Sequence, residues 1–138
     1  MGTDLRGALA LFQEAIDLSA GAGPADPELR RLWAEVAIEV GLPDAQTRNA
    51  LDEVTAATAG DDDPTTLAFA LGTLARLDHR AGDSHQAHAH LERSAALLEE
   101  AGHPESVVST LTFRASVAMA DGDRAAQTEL LTQALATV

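Results

Sequence analysis

Three glycines set the rhythm of this chain: Gly41, Gly82 and Gly122 stand 41 and then 40 residues apart. Each follows an apolar stretch, precedes a short polar turn and leads into a second amphipathic stretch. The dipeptides Gly82-Asp83 and Gly122-Asp123 recur outright. A segment that returns at this spacing is one helical hairpin. It cannot bury its apolar face alone and must pack on its neighbours. Aligned on the glycines, Leu71, Leu74 and Ala75 fall opposite Leu111, Arg114 and Ala115, and Leu91 falls opposite Leu131. Ala87 meets Gln127, one residue out of phase, and Ala126 is the small residue that could fill that slot.

Punctuation divides the chain into about seven helical stretches. The first covers 1–20, with Ala8, Leu11, Phe12, Ala15 and Leu18 at helical spacing, and Gly21, Gly23 and Pro24 stop it. Asp26 caps a second helix that has Pro27 at its first position. Leu29, Leu32, Trp33, Val36, Ala37 and Val40 form its stripe, and Gly41 ends it. Leu42-Pro43-Asp44 turns into a third, marked by Leu51 and Val54 and ending near Gly60. Asp61, Asp62 and Asp63 read as a solvated loop and cap before Pro64, with negative charge at a helix N-terminus. A calcium loop needs spaced oxygen ligands and a closing Glu, which are missing. The fourth helix runs to Arg80, the fifth from Ser84 to Ala101 with Gly102 as its stop, the sixth opens at His103-Pro104-Glu105, and the seventh reaches the end. The expected architecture is a single all-α domain over 1–138, with hairpins at 26–60, 64–101 and 105–138 behind an N-terminal helix.

Composition supports this. The apolar residues are mostly Ala and Leu, and Phe12, Trp33, Phe69 and Phe113 are the aromatics. Small unbranched side chains suit closely packed helices, whereas strands draw on β-branched and aromatic ones. The chain has 22 acids against nine arginines and no lysine, a net charge of −13. Such a surface repels phosphate backbones and anionic membranes, so neither nucleic acid nor membrane is an expected partner. The acidic load serves solubility, and the partner it would attract is a basic protein. Absence of cysteine excludes disulfides and thiolate chemistry. No apolar run spans a bilayer and the first residues lack a signal peptide, so a cytoplasmic location is the expectation. Arginine without lysine, beside abundant Ala and Gly, suggests a GC-rich bacterial genome.

Leu71-Gly72-x-Leu74-Ala75, Gly82-Asp83 and Ala87-x3-Leu91-x2-Ser94 together resemble tetratricopeptide repeats, and Ala8-x3-Phe12-x2-Ala15 matches the second-helix pattern of the same motif. The period exceeds that family's usual ~34 residues. It is similar to the ~40-residue variant of bacterial regulatory proteins, such as the sensor arrays of large ATP-dependent transcription regulators, where Leu-Glu-Glu-Ala-Gly, as at Leu98 to Gly102, closes a hairpin before a proline opens the next. The resemblance is clearest over 64–138; HEAT-like helical pairs share the period and remain the structural alternative. It implies a right-handed stack of antiparallel helical hairpins, an α-solenoid, with Ala87 small where two helices approach and Leu91, Ser94 and Leu98 continuing the inward stripe.

The resemblance also implies a groove lined by the first helix of each hairpin. By register its positions are Arg31, Glu35, Phe69, Arg76, His79, Ser109, Thr112, Ser116 and Met119. Each has a plainer reading: Phe69 as core, the arginines paired with nearby acids, the Ser/Thr strip as tolerant surface. The Lys and Asn clamp with which some members grip a terminal carboxylate is missing here, which argues against a chaperone-tail role. The expected function is a non-catalytic scaffold that binds a protein or peptide, with no cofactor.

The alternative is a metal- or small-ligand-binding helical bundle. At 100° per residue, His85, His88 and Glu92 fall within about 60° on one side of the fifth helix, away from the Ala87/Leu91 stripe and expected to be wet. His90 points to another flank. A helical His pair without a convergent ligand from elsewhere is a poor zinc site. Ser84 and His85 are merely sequential, and neither a nucleophile elbow nor a phosphate loop occurs. Self-association through the last helix is a third possibility.

Overall fold

The computed structural model describes residues 4–20 and 26–138, and all regular structure among them is helical. Seven helices follow in order: α1 (Leu5–Ala20), α2 (Pro27–Val40), α3 (Asp44–Thr58), α4 (Thr65–Arg80), α5 (Ser84–Glu100), α6 (Pro104–Ala120) and α7 (Arg124–Thr137). The chain forms two compact units, Met1–Gly60 with α1 to α3 and Asp61–Val138 with α4 to α7. Helices pack on their neighbours in sequence: α1 on α2 and α2 on α3 in the first unit, then α4 on α5, α5 on α6 and α6 on α7 in the second.

Local chemistry sets the boundaries. Gly41, Gly82, Gly102 and Gly122 all take a left-handed backbone, with φ between 77° and 83°. At Gly82 this lets its N–H donate to the His79 carbonyl at 3.1 Å while the Asp83 N–H reaches back to Asp78 at 2.8 Å. Two carbonyls that the helix end would orphan are thereby satisfied. The same pair of bonds recurs at Gly122, to Met119 and Ala118. The aspartate after each glycine then opens the next helix. Asp83 accepts from the Gln86 N–H at 3.1 Å and Asp123 from the Ala126 N–H at 3.0 Å. The recurring Gly-Asp is thus a stop and a start in two residues.

Asp26 caps α2 by accepting from the Glu28 N–H at 3.0 Å. Asp63 accepts from the Thr65 N–H at 3.0 Å and from its hydroxyl. Those two hydrogen bonds hold the Asp63 carboxyl below its ordinary value of 3.8. The helix stop expected at Gly21, Gly23 and Pro24 lies outside the described residues.

The second unit is built on the stripe read from the sequence: Ala87, Leu91, Ser94 and Leu98 of α5 are all buried. Ala87 and Leu91 belong to one apolar cluster and Leu98 to another. One joins Ala75, Ala87, Leu91 and Val117, with Phe113 against it. The other joins Ala68, Leu98, Val107, Leu111, Ala115, Ala118, Leu130 and Ala134, with Phe69, Val108 and Ala126 against it. Ser94 ties α5 to α4 with its hydroxyl, which donates to the Ala68 carbonyl at 2.7 Å.

Two expectations about faces need correction. In α7 the counterpart of Leu91 is Leu130, which is buried, and not Leu131, which is 40% exposed. Ala126 does fill the small-residue slot, so the whole of α7 is slipped by one residue from the glycine alignment. In α1, Leu11 and Leu18 are 68% and 74% exposed, and Ile16 is the buried residue. Leu5, Leu9 and Phe12 are half-buried. The inward face of α1 therefore runs through Leu5, Leu9, Phe12 and Ile16. This second stripe satisfies the same three- and four-residue spacing as the one read from Ala8.

Candidate functional site

The groove positions expected from the sequence separate into three groups. Arg31 and Glu35 lie on α2 in the first unit. Arg31 is buried, and its guanidinium donates to Glu35 at 2.9 Å and to both oxygens of Glu28. Burial works to lower its pKa, but the hydrogen bond to Glu28 and the charges of Glu35 and Glu28 more than offset this, and the net shift is upward. Both of these carboxylates stand on its own helix.

Phe69, Arg76 and Ser109 come together in the second unit. With Gly72, Leu91, Ser106, Thr110 and Phe113 they line an open depression of about 440 Å³ between α4 and α6. The sequence dictates its shape. Gly72 has no side chain on the α4 wall. Phe69 and Phe113 are half-buried, their inner edges packed on the two core clusters and the remainder left to the depression. His79 meets Phe113 edge-on, with ring centroids 5.9 Å apart and planes at 88°, an arrangement that fixes the phenyl ring. The floor is apolar and the rim polar, the usual composition of a recognition site.

Thr112, Ser116 and Met119 stand on α6 outside that lining. Thr112 and Ser116 are exposed, and their hydroxyls donate to carbonyls one turn back, at 2.8 and 3.2 Å. Met119 is 60% exposed and lines a separate depression with Gly122, Arg124, Gln127 and Thr128. Ser109 and Thr110 also donate backward, to Glu105 and Ser106 at 3.2 and 2.8 Å. A hydroxyl bonded in this way keeps its oxygen lone pairs for an incoming N–H.

The histidine face of α5 differs from its expected form. His88 is half-buried, accepts from the Arg114 guanidinium at 3.2 Å and lies 3.7 Å from Asp121. Arg114 also reaches Glu92 at 3.9 Å, and the Ser84 hydroxyl donates to Asp121 at 2.6 Å. His88 and Glu92 are therefore engaged by α6 rather than gathered with His85. Among the described residues, no three His, Asp or Glu side chains converge where one ion could be held.

The residue pair that sequence reasoning missed lies between α4 and α5. Asp78 is only 2% exposed, and its carboxylate meets His90 Nδ1 at 2.6 Å. Gln86 stands 3.5 Å from the other ring nitrogen. A signal was present: Asp78 continues the Leu71, Leu74, Ala75 stripe at helical spacing.

Compared with family models, with curated proteins and with solved structures, the chain matches none. No described helix is long and apolar enough to cross a membrane.

Proposed function

We propose that this chain is a non-catalytic helical repeat scaffold of the tetratricopeptide kind, and that it binds a peptide or protein segment in the depression between α4 and α6. One observation carries the reading: two phenyl rings, Phe69 and Phe113, form part of an open floor rimmed by Arg76 and the α6 hydroxyls. Aromatic floors with a polar rim give anchoring energy and orientation together, and preformed helices keep the ordering cost of binding low. Packing of each helix on its chain neighbours, and the repeated Gly-Asp junctions, support the stacked-hairpin reading.

A regulatory role fits this reading, since such surfaces report the presence of a partner without chemistry of their own. The test is site-specific photo-cross-linking in the source cell. A photoreactive residue at position 109 should give one discrete adduct that saturates with partner abundance, while one at Ala125, exposed on α7, should not. Equal labelling from both positions, or none from 109, would overturn the assignment.

A further inference from the structure

The first unit has an opening of its own, about 210 Å³, walled by α1, α2 and α3. Ile16 and Trp33, 7% and 6% exposed, are its buried apolar lining. A buried indole ordinarily gives its N–H to an acceptor. The Trp33 N–H bonds to no described residue. Yet no buried side-chain nitrogen or oxygen among the described residues is without a partner, so this N–H keeps access to the opening that Trp33 lines. The two charged groups at the same opening, Arg30 and Glu53, are paired with each other at 2.5 Å. Gln13, on the α1 side, donates to Asp17 at 2.9 Å. The carboxamides of Gln46 and Asn49, one turn apart on α3, are exposed and bond to no described residue.

We infer that this opening binds a small neutral molecule with a carboxamide on an apolar body about the size of a benzene ring. Its carbonyl oxygen accepts from the Trp33 N–H, its amide N–H donates to the side-chain oxygen of Asn49 or Gln46, and its apolar body lies on Ile16. Size agrees: an apolar cavity of about 150 Å³ holds benzene, and the opening here leaves room for one substituent more. Charge decides against the ionic alternatives. Residues 1–60 carry ten acids against four arginines, which opposes an anion. An ammonium group donates but cannot accept, so it leaves the indole N–H unmet. With Arg30 and Glu53 joined, neither charge is free to offset these costs. A buried apolar lining with a few convergent polar groups is the usual make-up of a small-molecule site. This site stands on residues of α1 to α3 alone and does not depend on the α4/α6 groove.

Trp33 is the one tryptophan of the chain, so a ¹⁵N-labelled sample gives a single indole N–H signal that reports on this opening. Benzamide, benzoate, benzylamine and toluene, each titrated into the full chain at about 0.15 M salt, separate the possible chemistries. Benzamide should move the indole signal downfield and saturably, and bind about two- to tenfold more tightly than toluene, the yield of a neutral hydrogen bond. Benzoate and benzylamine should bind more weakly than benzamide. Joint replacement Gln46→Leu and Asn49→Leu, at exposed positions, should weaken benzamide by about two- to tenfold and leave toluene unchanged. No saturable indole shift with benzamide, or an affinity no better than that of toluene, would overturn the proposal. So would a charged probe that binds more tightly, or a double variant that keeps the benzamide preference. The peptide acetyl-Ala-Gln-Ala-amide carries the same group on a chain; if it binds more tightly than benzamide, the site belongs to a peptide and the small-molecule assignment is rejected.

Discussion

Asp78 shows how one side chain can be decided by another element. A carboxylate on a buried stripe of α4 would be costly alone, and His90 of α5 meets it at 2.6 Å. Truncation of the imidazole deprives a buried acceptor of this partner, which typically costs about 1–3 kcal/mol. His90→Ala should therefore lower the stability of the chain to urea by about that amount. His85→Ala, at an exposed position of the same helix, should change it by no more than about 0.5 kcal/mol. Equal effects from the two would show that the Asp78 contact contributes nothing. This pair was only half legible in the sequence. Position 78 falls on the apolar stripe and could have been flagged. Its partner could not, because the contact depends on how α5 is rotated against α4.

At the scale of the helix, ends were more legible than faces. Gly-Asp junctions and Asp caps act through the backbone groups of their immediate neighbours, so their meaning survives without tertiary context. Burial faces do not share that property. α1 and α7 are rich in Ala and Leu, which offer more than one stripe at three- and four-residue spacing, and only packing on α2 or α6 chooses between them. The glycine alignment placed Leu131 inward, whereas the cluster with Leu98 and Leu111 holds Leu130. Leu130→Ala should cost about 2–5 kcal/mol in chemical denaturation, as expected of a core leucine. Leu131→Ala should cost less than about 1 kcal/mol. The reverse order would return α7 to the register implied by the repeat.

For the molecule as a whole, the groove positions read from the repeat register were legible in part. Phe69, Arg76 and Ser109 line the α4/α6 depression, because a helix face set by a three- to four-residue period carries side chains at those spacings to one side. Phe113 and Gly72 were not among the expected positions, although both shape the floor. A phenylalanine half in the core and half in an opening has the same pattern as one wholly inside. Arg31 left the set for another reason: carboxylates one turn away on either side, Glu28 and Glu35, hold it on its own helix. Charge was legible as a total and not by position. Composition counts every acid equally, whereas the depression excludes them.

The claim on which the account depends is that this depression is where the partner sits. Ser109 is exposed on its rim, so Ser109→Trp fills the opening without replacing a residue of either core cluster. Binding of the partner captured from position 109, measured by isothermal titration against this variant and against Ala125→Trp, is the most direct test. Ser109→Trp should weaken binding by about tenfold or more, about 1.4 kcal/mol, and Ala125→Trp should leave it unchanged. Unaltered affinity in Ser109→Trp, with the chain folded, would contradict it.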